Sequence, residues 1–171
     1  IAATFARIPI AHISGGETTI GAYDEAIRHS ITKMGWWHFV AADTYNKRVI
    51  QLGENPKRVF NVGGLGVDAI KKTKLLSKKD LMKKLGIKFG RKNLLVTFHP
   101  VTLEKNTSCK QFKALLDVLK DLKYIYLIFT LPNADSGGRI IKQMIKDFLS
   151  SQNTRSISFT SMGSLKYLSS L

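Results

Sequence analysis

The chain is 171 residues long, with 44% hydrophobic and 23% charged residues and a formal net charge of +15. These values are typical of a soluble globular protein with a sizeable core, and no apolar run approaches the roughly 20 residues of a membrane-spanning helix. The single cysteine, Cys109, excludes an internal disulfide and a cysteine-based metal cluster. The sequence therefore predicts a reducing, cytoplasmic setting and no contact with a membrane.

The excess of 27 basic over 12 acidic residues could indicate a nucleic-acid-binding protein. The lysines, however, are dispersed along 71–92 and 105–146, several on the outer faces of predicted helices. No aromatic-interleaved basic stripe and no zinc or RNP motif accompanies them. A solvated lysine-rich surface is the favoured interpretation, and nucleic acid is not expected as a partner. Attraction of anionic, phosphate-bearing ligands is compatible with such a surface.

The first half of the chain alternates predicted strands and helices. An apolar run at 8–13 predicts a buried strand, which stops at Gly15-Gly16, where the backbone can turn sharply or let a ligand approach. A helix is expected from about Ala22, and its apolar stripe should face the sheet: Ala26, Ile27, Ile31 and Met34. The next predicted elements are a strand, a helix and a strand at 37–42, 45–52 and 58–62. This alternation predicts βαβ units in a parallel sheet.

A lysine-rich stretch at 65–92 then changes the character of the chain. Within it, Ser77 and Asp80 offer a start to a helix that resembles a capping box. We expect the passage between two domains here, and assign them to residues 1–66 and 67–171.

A second alternating series follows the lysine-rich stretch. Its predicted strands and helices lie, in order, at 94–98, 110–122, 124–130, 139–149, 156–159 and 161–171. The helix at 110–122 is amphipathic, and four of its side chains should face inward: Phe112, Leu115, Leu116 and Leu119. The predicted fold class is α/β throughout.

Acidic and basic side chains gather just after the first strand. Asp24, Glu25, Arg28 and His29 lie on the first turns of the predicted helix, at spacings that bring them together. Ligands of open α/β sheets bind beyond the carboxyl ends of the strands, so this cluster is a candidate site. Acidic residues in a first helical turn also favour the helix dipole without any catalysis, and both interpretations stand at this point.

Four longer motifs carry a resemblance to a known family. The first is H-I-S-G-G-E-T-T-x-G-A-x-D-E-A-x-R-H-S-I-T-K-M, and the others are T-F-H-P-V-T-L-E, L-P-N-A-D-S-G-G-R and S-M-G-S-L-K-Y-L-S-S-L. Together they resemble the hydrolysing UDP-N-acetylglucosamine 2-epimerases of sialic-acid-type sugar synthesis. The resemblance implies two Rossmann-like domains of the GT-B type, only part of each present, with a nucleotide sugar bound between them.

The resemblance also implies a reaction, in which UDP-N-acetylglucosamine yields UDP and N-acetylmannosamine without a cofactor or metal. A base removes the C2 proton, UDP leaves from C1, and water adds to the resulting glycal. Asp24 falls where the family places an essential acid and is the first choice for acid/base catalysis. Glu17 and Glu25 are further catalytic candidates that could instead orient substrate or neighbours. Arg28 and His29 are candidates for substrate binding or for support of the carboxylates.

In the second domain the resemblance assigns His99 to the phosphates of the nucleotide sugar, against the alternative of a structural histidine. Asn133 and Asp135 are expected in a ligand-binding loop. One departure concerns Ser14, which stands where relatives usually carry Glu or His, so no catalytic role is carried over to it.

Two other functions stay open at this stage, a GT-B glycosyltransferase and a basic nucleic-acid-binding protein. The chain begins with Ile1, and residues 1–6 resemble the end of a helix that feeds the first strand. We therefore expect a fragment that is inactive in isolation, because the family's glycine-rich and serine-rich loops lie outside it. Assembly of the whole enzyme as a homo-oligomer is a further expectation from the resemblance.

Overall fold

A computed structural model describes residues 1–134, 137–151 and 155–171 of the chain. The chain divides into two compact units, Ile1–Lys72 and Thr73–Leu171. Each unit contains a three-stranded parallel sheet with the strands in sequence order, which confirms the predicted α/β class with parallel sheets. The assignment of domains to residues 1–66 and 67–171 stays a prediction.

The first unit follows the predicted alternation, with shorter strands than the apolar runs suggest. Its elements are α1 (Ala2–Phe5), β1 (Ala11–Ile13), α2 (Asp24–Met34), β2 (Trp37–Val40), α3 (Asp43–Gln51), a 3₁₀ turn (Pro56–Arg58), β3 (Val59–Asn61) and α4 (Leu65–Lys72). A small core forms where α3 packs on β2 and β3, and it contains Val40, Val49 and Val59.

The second unit is built around a longer sheet. Its elements are α5 (Lys78–Leu85), β4 (Lys92–Thr97), α6 (Ser108–Asp121), β5 (Ile125–Thr130), α7 (Gly138–Ser151), β6 (Ser156–Phe159) and α8 (Gly163–Leu168). Helix α5 begins as predicted, since the Ser77 hydroxyl accepts the Asp80 N–H at 3.1 Å. Side chains of α6, β5 and α7 form the larger core cluster of this unit, and Leu81 and Leu85 of α5 form a smaller cluster with Met162.

The inward face predicted for α6 is confirmed. Phe112, Leu116 and Leu119 are buried, and Leu115 packs against them with part of its surface exposed. Successive side chains of a strand point to opposite faces, so β4 directs Val96 towards this cluster and Leu95 towards the cluster around α5.

The face that α2 turns towards the sheet is not the predicted apolar stripe. Ile27 is 53% exposed, whereas Thr32 is completely buried. The prediction is wrong because the strands present polar rings to this helix. The Thr32 hydroxyl lies 3.2 Å from His12 Nδ1. Gly35, just after α2, lies so close to His38 that a β-carbon there would be 2.8 Å from Cε1. A bulky apolar side chain has no room at these two contacts.

Candidate functional site

The glycine turn at the carboxyl end of β1 packs tightly on helix α3. Gly16 has a φ of +75°, and a β-carbon there would lie 2.4 Å from the Tyr45 carbonyl oxygen and 2.9 Å from Val49 Cγ2. Both the backbone conformation and the contact therefore require glycine. Ser14 also adopts a positive φ, of +63°. The sequence predicted that the Gly15-Gly16 pair allows either a sharp turn or the close approach of a ligand. In the structure, the group that approaches Gly16 closely is the backbone of Tyr45.

The loop that follows the turn is held by side chains of α2. One Glu25 carboxylate oxygen accepts the Thr19 N–H at 2.6 Å, and the other lies 3.3 Å from His29 Nε2. Arg28 donates to the Glu17 carbonyl oxygen at 3.2 Å. The Thr19 N–H holds the pKa of Glu25 below its ordinary value, with His29 and Arg28 contributing in the same direction. Hydrogen bonds thus pair Glu25 with His29 and Arg28 with Glu17, and an ion pair of 3.9 Å between Arg28 and Glu25 connects the two pairs.

Asp24 stands next to this network but does not take part in it. It is the first residue of α2 and is exposed. Its carboxylate forms no hydrogen bond or ion pair with any residue that the structure describes. Of the three carboxylates predicted for catalysis, Asp24 is therefore accessible to a ligand, whereas both oxygens of Glu25 have partners in the protein.

A buried histidine pair under α2 was not predicted from the sequence. The rings of His12 and His38 meet edge to face, with centroids 6.4 Å apart. His38 Nε2 lies 3.2 Å from Glu54, whose other carboxylate oxygen accepts a hydrogen bond from Lys33. The alternation of side-chain direction along a strand is the signal that could have found it, because it places His38 on the same face as the apolar Val40, which is the inward face.

Burial lowers the pKa of both histidines in this pair. The neighbouring His38, Arg28 and His29 lower that of His12 further, whereas Glu54 partly opposes the shift at His38. Burial raises the pKa of Glu54, but the bonds from Lys33 and His38 outweigh it and hold the value below 4.5. At neutral pH the pair therefore consists of uncharged rings beside an ionised carboxylate.

The stability of the protein is expected to fall as the pH drops below 6.5, the ordinary histidine value. The folded state binds protons at these rings less readily than the unfolded chain, so acid favours unfolding. Melting of the full-length protein at about pH 7.5 and about pH 5.5 measures the effect. His12→Asn should reduce the difference, whereas replacement of the exposed His99 by glutamine should not. Equal melting temperatures at the two pH values would contradict the expectation.

In the second unit, His99 follows β4 and is exposed. Its neighbours in the chain anchor it, because Phe98 packs on Phe112 with ring centroids 5.0 Å apart and Pro100 is buried. Such flanking contacts fix the backbone of the histidine and leave its side chain at the surface. The ring is therefore available to a ligand at the carboxyl end of this strand.

Hydroxyl groups that were not predicted lie at the same edge of this sheet. Thr97 and Thr130 are opposite each other in β4 and β5, and their hydroxyl oxygens are 2.7 Å apart. The Tyr167 hydroxyl lies 3.5 Å from that of Thr97. Thr97 and Thr130 are the last residues of β4 and β5, and this shared position in the sequence could have predicted that their hydroxyl groups lie together. The position of Tyr167 beside them depends on tertiary packing.

The loop after β5 contains Asn133, which is exposed. Its backbone is close to the start of α7, since a β-carbon at Gly138 would lie 2.5 Å from the Asn133 carbonyl oxygen. Gly137 has a φ of +85° and packs against Ser108. These glycines therefore shape the turn that precedes α7. Asp135 lies outside the described residues.

In the described part of the chain, no helix is both long and apolar enough to cross a membrane. Nor do His, Cys, Asp and Glu side chains come together there in a group of three or more that could hold a metal ion.

Each of the two α/β units has a parallel sheet with polar residues after its strands, and the fold is of the Rossmann-like, GT-B type. The family model for UDP-N-acetylglucosamine 2-epimerase matches residues 1–171, and the chain belongs to this family. The resemblance read from the four motifs is thereby confirmed.

Two similar proteins give the family relationship more detail. The Campylobacter jejuni protein named GDP/UDP-N,N'-diacetylbacillosamine 2-epimerase (hydrolyzing) is 45% identical over 163 residues, which cover 95% of this chain and 42% of that protein. Polysialic acid biosynthesis protein P7 of Escherichia coli is 44% identical over 149 residues, 86% of this chain and 38% of that protein. The chain thus spans less than half the length of these relatives.

Solved structures show the same fold. The UDP-GlcNAc 2-epimerase from Neisseria meningitidis, bound to UDP-GlcNAc, superposes with a TM-score of 0.77 at 20% identity, over 98% of this chain and 46% of that one. The Methanocaldococcus jannaschii enzyme, in complex with UDP-GlcNAc and UDP, gives 0.72 at 16% identity, over 96% and 46% of the two chains.

Proposed function

We propose that this chain is part of a hydrolysing nucleotide-sugar 2-epimerase, which converts a UDP-linked amino sugar such as UDP-N-acetylglucosamine into the free 2-epimer and the nucleoside diphosphate. The observation that carries this proposal is the family match along the whole chain. The accessible carboxylate of Asp24, beside a loop held by hydrogen bonds, supports it.

The reaction requires acid and base groups at two neighbouring carbons of the sugar. A base takes the proton from C2 while the C1–oxygen bond breaks, and the electron pair of that bond leaves with the diphosphate. Water then adds across the C1–C2 double bond of the glycal. Hydroxide goes to C1, and a proton goes to C2 on the face opposite to the one from which the first proton was removed. We assign Asp24 to one of the two proton transfers at the sugar, because an unpartnered carboxylate can accept or donate a proton. Inversion at C2 places the two transfers on opposite faces of the sugar, so the other transfer requires a second group.

The other residues of the first unit are assigned to substrate contact or to support. Glu17 lies in the loop between β1 and α2 and is a second candidate for proton transfer. Glu25, whose two oxygens bond Thr19 and His29, suits the orientation of its neighbours better than proton transfer. Arg28 and His29 form the rest of this support and could also contact the sugar.

In the second unit, we assign His99 to the diphosphate and the Asn133–Asp135 loop to the rest of the nucleotide sugar. An exposed imidazole after a strand of a parallel sheet is well placed to donate to a phosphate oxygen. The strongly basic composition favours such an anionic substrate. A cytoplasmic setting, assembly as a homo-oligomer and the absence of nucleic acid as a partner stay predictions.

The amino sugar itself has a second candidate. The relative that is 45% identical is named for N,N'-diacetylbacillosamine linked to GDP or UDP. A substrate of that kind carries the same C1 and C2 chemistry, so the assignments above apply to it without change.

The full-length protein should release free sugar from one of these substrates with no acceptor present. We would incubate it with UDP-N-acetylglucosamine and with UDP- and GDP-diacetylbacillosamine in D₂O, and analyse the sugar by NMR. The mechanism predicts one deuterium at C2 and the 2-epimer configuration. A glycosyltransferase would instead require an acceptor and leave C2 unlabelled. Retention on nucleic acid that depends on salt, with no turnover of any substrate, would favour the nucleic-acid-binding alternative.

A further inference from the structure

Arg48 of helix α3 reaches the glycine turn at the end of β1. Its guanidinium donates to the carbonyl oxygen of Gly16, 32 residues away in the sequence. The guanidinium carbon also lies 5.8 Å from the centre of the Tyr45 ring. The next residue, Val49, is completely buried in the core of the unit. Arg48 therefore connects the turn to a firmly anchored helix.

The Arg48 bond is one of three that hold successive parts of the same loop. Arg48 binds the Gly16 carbonyl, Arg28 binds the Glu17 carbonyl, and Glu25 binds the Thr19 N–H. Two of the three come from α2, which immediately follows the loop, so they can move together with it. The bond from Arg48 is different because it comes from the separate helix α3.

The turn needs such a restraint because of its composition. Gly15 and Gly16 lack a Cβ, so many backbone conformations are open to them. A hydrogen bond from a guanidinium to the Gly16 carbonyl selects the one in which the turn contacts Tyr45. Since Glu17 follows directly, its backbone position depends on the same selection.

We propose that Arg48 is a positioning residue for the reaction, which fixes the Gly16 carbonyl and thereby sets the loop 17–21 beside Asp24. This inference rests on the proposed function. In this proposal Arg48 contacts the turn, and the residues that contact the sugar lie in the loop and on α2. A group that is displaced by about an ångström can lose about a hundredfold in rate, so loss of this restraint should slow catalysis.

The test compares Arg48→Met with Lys47→Met in the full-length protein. Methionine keeps an apolar stem in place of the arginine and removes the donors. Lys47 is exposed on the same helix, so its replacement removes an equal charge without touching the turn. For Arg48→Met we expect kcat to fall about tenfold to a hundredfold, with little change in KM or in the melting temperature. Lys47→Met should behave as the wild type.

Amide hydrogen exchange provides a readout that needs no substrate. Exchange across residues 16–21 should be faster in Arg48→Met, and unchanged in the core strand β2 and in Lys47→Met. Wild-type kcat or unaltered exchange in a folded Arg48→Met protein would overturn the proposal, as would equal losses of kcat in both variants. If Arg48→Met does not fold, Arg48→Gln, whose amide is too short for this reach, is judged by the same measurements.

Failure of the proposed function is distinguishable from failure of this inference. If the wild-type protein turns over none of the nucleotide sugars, the proposed function falls. The exchange comparison still decides whether Arg48 restrains the turn.

Discussion

Replacement of Asp24 by asparagine in the full-length protein is expected to reduce kcat by about 10²–10⁴-fold, the usual cost of losing a positioned acid or base. Asparagine keeps the size and polarity of the side chain but cannot exchange a proton. The Asp24 carboxylate forms no hydrogen bond or ion pair with a described residue, so the change should leave the loop and helix α2 in place. UDP binding, which we assign to the second unit, should be largely unaffected.

Asp68→Asn is the matched control for this prediction. Asp68 is also an exposed carboxylate in the first turn of a helix in the same unit. The two substitutions therefore remove a similar interaction with a helix dipole. For both variants, the rate of the chemical step should be measured by single-turnover kinetics, and the melting temperature should be measured separately. Near-normal turnover of Asp24→Asn, or an equal loss in both variants, would remove Asp24 from catalysis.

His99→Ala in the full-length protein is expected to weaken UDP binding about tenfold to a hundredfold. A charge-assisted hydrogen bond to phosphate is worth roughly 1.5–3 kcal/mol, and about 1.4 kcal/mol corresponds to a factor of ten in affinity. Cleavage of the C1–oxygen bond should slow as well, because the same bond stabilises the leaving diphosphate. Calorimetric titration with UDP measures the first effect, and turnover the second.

Lys92→Ala is the control, and it tests whether loss of any basic side chain on or near β4 also weakens UDP binding. Lys92 is exposed and lies at the amino end of that strand, away from His99. Its replacement should leave UDP affinity unchanged. If His99 is a structural residue instead, His99→Ala should lower the melting temperature and keep the UDP affinity of the folded fraction. A stable His99→Ala protein with wild-type affinity would defeat the phosphate assignment.

The structure changes how the acidic cluster of the first unit is interpreted. The spacing of Glu25, Arg28 and His29 predicted that they meet, and they do. What they bind could not be deduced from spacing, because the partners are backbone groups of Glu17 and Thr19 in a loop without regular structure. In the structure, Arg28 and Glu25 of this cluster therefore bind the loop, and their predicted roles at the substrate stay predictions.

The sequence by itself determined the α/β class, the order of strands and helices, the inward face of α6 and the family. Each of these depends on local periodicity or on contiguous motifs. The buried strand predicted at 124–130 is β5, Ile125–Thr130, because a continuous apolar run has few alternatives to burial.

Only the tertiary structure decided the buried face of α2 and the contacts of its site. Apolar periodicity failed there because Thr32 and the rings of His12 and His38 are buried beneath α2, with a hydrogen bond between Thr32 and His12. Likewise, the bonds from Arg48 to Gly16 and from His38 to Glu54 join residues 32 and 16 positions apart. Such contacts depend on how strands and helices are packed in space, and hydrophobic patterns along the chain contain no record of that packing.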